Sequence, residues 1–176
     1  AAEIVNGWSH GEIARILKVY GEEKFAARIA DFIIREREIA PINSTIKLAN
    51  LVKSAIPAAA RRTGGNPAKR TFQALRIAVN NELEVIEQAL PQALELLKVG
   101  GRLVVLSFQS LEDRITKEAF SQVTKSTSPK YLPFELPGHE VKFKLIAKGE
   151  AASDLEISEN SRAQSVRIRA VERVAA

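Results

Sequence analysis

The apolar run Leu103-Val104-Val105-Leu106 constrains the fold more than any other stretch of the chain. It follows the Gly100-Gly101 pair that closes a helical pattern, and a helix start capped by Ser110 follows it. That punctuation predicts a strand buried on both faces, as in an α/β sheet, and such a strand implies a parallel neighbour. Two more strands are predicted at Val141–Ile146 and Ser165–Val171, both alternating apolar and basic residues and able to pair antiparallel with each other. One doubly buried strand and one hairpin are too little sheet for an α/β domain, which needs several parallel strands. The 176 residues are therefore expected to contain only part of their sheet.

Ahead of that region the pattern is helical. Ser9 and Glu12 have the spacing of a capping box, which starts a helix running to about Tyr20. Phe25, Ile29, Phe32 and Ile33 mark a second amphipathic helix that Pro41 stops. Asn43, Ser44 or Thr45 can cap a third, Ile46–Ile56, ended by Pro57. The stretch Arg61-Arg62-Thr63-Gly64-Gly65-Asn66-Pro67 reads as a basic loop or hinge. From Pro67, the residues Phe72, Leu75, Val79, Leu83, Ile86 and Leu90 put one apolar face on a long helix that Pro91 kinks or divides. Leu111 to about Gln122 forms a further helix, with Glu112 and Asp113 where the positive end of its dipole favours them. The expected organisation is a helical domain over 1–60, a basic connection over 61–69 and an α/β region over 70–176.

Charge is concentrated rather than spread. Residues 1–60 carry eight basic and seven acidic side chains, whereas 61–80 carry Arg61, Arg62, Lys69, Arg70 and Arg76 with no acid. That local field attracts phosphate, although a solvated basic loop has the same composition. The absence of cysteine excludes disulfides, thiolate metal sites and cysteine nucleophiles, and agrees with a cytoplasmic protein. No apolar run is long enough for a membrane span, and no signal peptide is read at the N-terminus. His10 and His139 are far apart with no cysteine to complete a ligand set, so no metal site is expected. Tyr131, Phe134 and Phe143 could stack on bases, with core packing as the default.

Three motifs carry a resemblance. Arg70-Thr71-Phe72-Gln73-Ala74-Leu75-Arg76-Ile77-Ala78-Val79-Asn80-Asn81-Glu82-Leu83 closely resembles the R-x-F-Q-A-L-R-I-x-V-N-x-E-L stretch of the MraW family of ribosomal small-subunit methyltransferases. The run from Gly100 to Arg114, with Ser107-Phe108-Gln109-Ser110-Leu111-Glu112-Asp113-Arg114, is similar to the G-G-R-L-x-V-x-S-F/Y-x-S-L-E-D-R element that follows in the same family. Glu159-Asn160-Ser161-Arg162-Ala163-Gln164-Ser165 resembles its E-N-P-R-A-x-S tail, with Ser161 in place of proline. Together with the opening Ile4-Val5-Asn6-Gly7-Trp8-Ser9, these cover nearly the whole chain.

The resemblance implies part of a Rossmann-like, S-adenosylmethionine-dependent methyltransferase sheet with an inserted small helical domain, acting in the cytoplasm. The implied reaction is N4-methylation of a cytidine in 16S rRNA, with the small ribosomal subunit as partner and a homodimer left open. An exocyclic amine can attack a sulfonium methyl directly, so no cysteine adduct is needed. The family's glycine-rich strand-to-helix turn, which packs against the cofactor, has no match here. Gly64-Gly65 has no strand before it and Gly100-Gly101 precedes a strand. The chain is thus expected to lack the cofactor-binding half and to bind no cofactor alone. The alternatives are a non-catalytic basic RNA-binding module and an inactive remnant. Candidate RNA or cleft residues are Arg61, Arg62, Lys69, Arg70, Gln73, Arg76 and Asn80, and, at the carboxyl end of the strand, Ser107, Gln109 and Arg114. A helix flank that bonds neighbouring loops, and ordinary helix capping, are the structural alternatives.

Overall fold

The computed structural model describes residues 1–62, 65–126, 128 and 139–176, with Arg62 described by its backbone alone. Tyr131 and Phe134 lie outside the described residues. The chain divides into two compact units, Ala1–Glu82 and Leu83–Ala176. That division falls beyond the 61–69 loop where the sequence suggested one.

The first unit is all helical: α1 (Ala2–Gly7), α2 (His10–Val19), α3 (Ala26–Ile39), α4 (Thr45–Ala55), a 3-10 turn (Ala58–Arg62) and α5 (Lys69–Asn80). The Ser9–Glu12 capping box is present: Glu12 N donates to Ser9 Oγ at 3.3 Å and Ser9 N to Glu12 Oε2 at 2.8 Å. Ser44, among the three capping candidates, caps α4 by accepting from Lys47 N. Ile13, Ile16 and Leu17 of α2, Ile29 and Ile33 of α3, Val52 of α4 and Ala74 of α5 are buried in one core. The apolar period of each helix therefore turns the same stripe inward.

The expected long helix from Pro67 to Leu90 is broken, and not at Pro91. Asn81 adopts the left-handed conformation, φ 51°, and closes α5 with its N–H on Ile77 O. Asparagine tolerates that geometry better than most side chains. Pro91 instead lies exposed inside α6 (Glu82–Leu96).

The second unit continues with β1 (Arg102–Ser107), α7 (Ser110–Val123), β2 (Phe143–Ala151), α8 (Asp154–Glu159), a 3-10 turn (Ser161–Ser165) and β3 (Arg167–Arg173). The sheet has the order β1-β3-β2, with both pairings antiparallel. The predicted β2–β3 pairing is present, whereas β1 departs from expectation. Its partner is antiparallel β3, and its burial alternates, with Val104 53% and Leu106 54% exposed. Leu103 and Val105 pack instead against the core of Leu90, Leu94, Phe120, Phe143 and Val171. A four-residue apolar run reads the same whether one face or both are covered, which is why composition misled here. Ser110 is the first residue of α7 rather than its cap. Gln109 holds the cap position, and Glu112 Oε2 accepts from the N–H groups of Phe108 at 3.0 Å and Gln109 at 3.2 Å.

Candidate nucleic-acid interface

The corner between α2 and α3 is pressed against the first turns of α5, and glycine makes that possible. A Cβ on Gly21 would lie 2.7 Å from Leu17 O and 2.8 Å from Arg70 O, so only a bare backbone fits. Two side chains of α5 then fasten the corner: Arg70 Nη1 donates to Glu22 O at 2.8 Å and Gln73 Nε2 to Tyr20 O at 3.0 Å. Asn66 sets where α5 starts, its O accepting from Lys69 N at 3.0 Å and its Oδ1 from Ala68 N at 2.9 Å.

This packing encloses a pocket of about 440 Å³ lined by Glu23, Lys24, Phe25, Arg61, Lys69 and Arg70, among others. Arg61 is braced by its Nε on Ile56 O at 2.7 Å. Four cationic side chains thus surround one opening at the positive end of α5, an arrangement suited to an anionic oxygen. Of the ten sequence candidates the pocket collects Arg61, Lys69 and Arg70. The side chain of Arg62 lies outside the described residues.

The other candidates go elsewhere. Gln73 takes the structural role that was its alternative, as a bond to a loop carbonyl. Arg76 Nε lies 2.9 Å from Glu82 Oε1, and Asn80 Nδ2 donates to the same oxygen at 3.1 Å. Arg76 and Asn80 also line a mostly apolar groove of about 380 Å³ with Phe72 and Val79. Ser107, Gln109 and Arg114 belong to the second unit, around the turn from β1 to α7. Ser107 is buried, and neither its Oγ nor Gln109 Oε1 has a hydrogen-bond partner among the described residues. Unsatisfied buried oxygens at the carboxyl end of a strand are where a ligand or another chain segment would contribute a donor.

Sequence reasoning missed Glu23, Lys24 and Phe25, because nothing in the local pattern ties residues 23–25 to residues 61–70. It also missed the partner of Asp113. Asp113 Oδ1 and Oδ2 accept from Arg169 Nε and Nη2 at 2.7 and 2.9 Å, and this bidentate bond, opposed by partial burial, holds the carboxyl below the usual aspartate range. Arg169 Nη1 also donates to Lys148 O at 2.6 Å.

A glycine-rich cofactor cradle is not built by the described residues. Of the three strands, β1 alone runs directly into a helix of several turns, and its turn, Ser107-Phe108-Gln109, has no glycine. Gly100 and Gly101 precede that strand, and Gly149 is covered by the Arg169 guanidinium. No group of His, Cys, Asp or Glu able to hold a metal ion occurs among the described residues, and His10 Nε2 lies 3.0 Å from Asp31 Oδ1. No helix among them is long and apolar enough to cross a membrane.

Comparison with known proteins gives a consistent result. A family model described as the MraW methylase family matches residues 1–174. The ribosomal RNA small subunit methyltransferase H of Salinispora tropica is 58% identical over 175 residues, which are 99% of this chain and 47% of the relative. The protein of the same name from Saccharopolyspora erythraea is 58% identical, covering 99% of this chain and 53% of the relative. That from Corynebacterium diphtheriae is 55% identical over 173 residues, 98% of this chain and 51% of the relative. The chain spans about half the length of the curated relatives it matches.

Proposed function

Since this chain belongs to the MraW methylase family, we propose that it is part of an S-adenosylmethionine-dependent enzyme that methylates N4 of a cytidine in 16S rRNA, in the cytoplasm. The observation that carries this reading is the family match over residues 1–174, joined by relatives named as ribosomal RNA small subunit methyltransferases. In this reading the helical residues 1–60 are the inserted domain, and 61–69 are the basic connection to the methyltransferase region. The second unit is one end of a Rossmann-like sheet. Supporting that, β1 stands at the edge of the order β1-β3-β2, with its second side unpaired among the described strands and Val104 and Leu106 exposed. A parallel strand added there would supply what the sequence pattern asks for.

No glycine-rich cofactor cradle is formed among the described residues. This chain's own contribution is placement: Lys24, Arg61, Lys69 and Arg70 hold RNA phosphates, and the Ser107–Gln109 turn lies at the carboxyl end of the strand, where substrates of open α/β sheets bind. Holding the target in a reactive pose is the larger part of catalysis for a nucleophile that needs no covalent adduct.

The test is a chimaera in which this chain replaces the matching half of a full-length relative. Incubated with S-adenosylmethionine and undermodified small subunits, it is expected to form N4-methylcytidine, detected by mass spectrometry of nuclease-digested rRNA. A folded chimaera that binds the cofactor and leaves the rRNA unmodified refutes the reading.

A further inference from the structure

The pocket at the α2–α3 corner contains one group that a phosphate site does not want. Glu23 is 7% exposed, yet it lines an opening otherwise walled by Lys24, Arg61, Lys69 and Arg70. Its carboxylate is in no ion pair with these cations among the described residues. The hydrogen bond it makes is to Phe25 N, which donates to Oε1 at 3.1 Å. A carboxylate left without a salt bridge at a cationic opening weakens phosphate binding, so its presence asks for a ligand that offers donors as well as an anion. Phe25, half-buried beside it, supplies an aromatic ring against which a base can pack.

From this juxtaposition we infer that the pocket is a nucleotide subsite that selects guanine in single-stranded RNA: Glu23 accepts from the base edge, Phe25 packs on the ring and the cations take the flanking phosphate. The inference rests on the RNA reading above and deepens it. Guanine is the one standard base whose pairing edge presents two adjacent donors, N1–H and the N2 amine, which match the two oxygens of a carboxylate. Cytosine and adenine offer one amine next to a ring acceptor. Uracil has a single N–H between two carbonyl oxygens, which a carboxylate repels. Recognition of unstacked bases through their pairing edges is the common mode for sequence-specific RNA binding. The pocket volume of about 440 Å³ is in the range that encloses one nucleotide.

The decisive experiment is fluorescence anisotropy with labelled pentaribonucleotides that are all uridine except for G, A, C or U at the centre, using this chain and its Glu23→Gln variant. Glutamine keeps an oxygen for Phe25 N, so circular dichroism should be unchanged. The wild type is expected to bind the guanosine pentamer about ten-fold more tightly than the uridine one, the scale of one good two-bond base contact. The variant is expected to lose that preference and, with the repelling charge gone, to bind the uridine pentamer at least as tightly as the wild type does. Salt-dependent binding with no preference for guanosine, a preference that survives in the variant, or an equal loss for all four RNAs would overturn the inference and leave the RNA reading standing. No binding of any pentamer would overturn both.

Discussion

Replacing Asp113 with asparagine should loosen the join between α7 and the sheet of the second unit. The two carboxylate oxygens receive Arg169 Nε and Nη2 at 2.7 and 2.9 Å, and the Arg169 and Asp113 side chains are 11% and 21% exposed. Breaking a fully buried pair from one side costs about 3–5 kcal/mol, because the remaining charge is stranded. Here Arg169 keeps its bond to Lys148 O at 2.6 Å and some contact with water, which reduces the cost to about 2 kcal/mol. With a urea m-value of roughly 2 kcal/mol/M, the unfolding midpoint of the second unit should fall by about 1 M at neutral pH. The pH dependence has a definite sign. The Arg169 bond lowers the folded pKa of Asp113 below its ordinary 3.8, so the stability it contributes is complete above that value and drains away as pH falls through the depressed pKa. Urea titrations followed by far-UV circular dichroism at pH 7 and at steps below about pH 4 should therefore show the wild type and variant converging in acid. A gap that stays constant into the acid limb, or no gap at neutral pH, would refute the assignment of this stability to the ionised pair.

Gly149→Ala should be worse than a surface change has any right to be. The residue has φ 108°, and a Cβ there would lie 2.7 Å from Arg169 Nη2, so a loss of about 1–3 kcal/mol is expected. Differential scanning calorimetry checks it, and an unaltered melting temperature would show that the guanidinium yields freely. At the other site, Lys69→Gln should lower the slope of log affinity against log salt for single-stranded RNA by about 0.7, one phosphate's share. An unchanged slope would remove Lys69 from the set that meets the backbone.

What could be read ahead of the structure was local. The Ser9–Glu12 box and the stripe that buries Ile29 and Ile33 follow from spacing, and the cap of α4 was narrowed to Asn43, Ser44 or Thr45, because each depends on residues within a turn or two of one another. The approximate positions of β2 and β3 were also legible from alternation, and that of β1 from the glycine pair ahead of its apolar run. The identity of the β1 neighbour was not, since pairing depends on which distant strand is available. Two bulges in β2, at Ile146 and Gly149, were equally silent, because an extra residue in a strand leaves almost no mark on an apolar–basic alternation. The basic stretch 61–80 raised an anion site as an expectation, yet only the fold shows that Arg61, Lys69 and Arg70 line one pocket with Glu23–Phe25, while Arg76 is drawn to Glu82.

The strand order has a consequence for how such a chain is made. β3 lies between β1 and β2, which do not touch each other, and it is the last of the three in sequence; Arg102 bonds Glu172 from 70 residues away. During synthesis the β1–β3 and β2–β3 pairings both wait until residues 167–173 leave the ribosome, so these three strands join in one late event. The helical unit, built from neighbours in sequence, can settle long before. Until that moment β1 and β2 each lack the neighbour that β3 supplies, and an unpaired strand edge is where a nascent chain is most exposed to wrong pairing and most dependent on chaperones. Slowing translation just upstream of codon 167 should therefore cost more soluble protein than slowing it anywhere in the first unit.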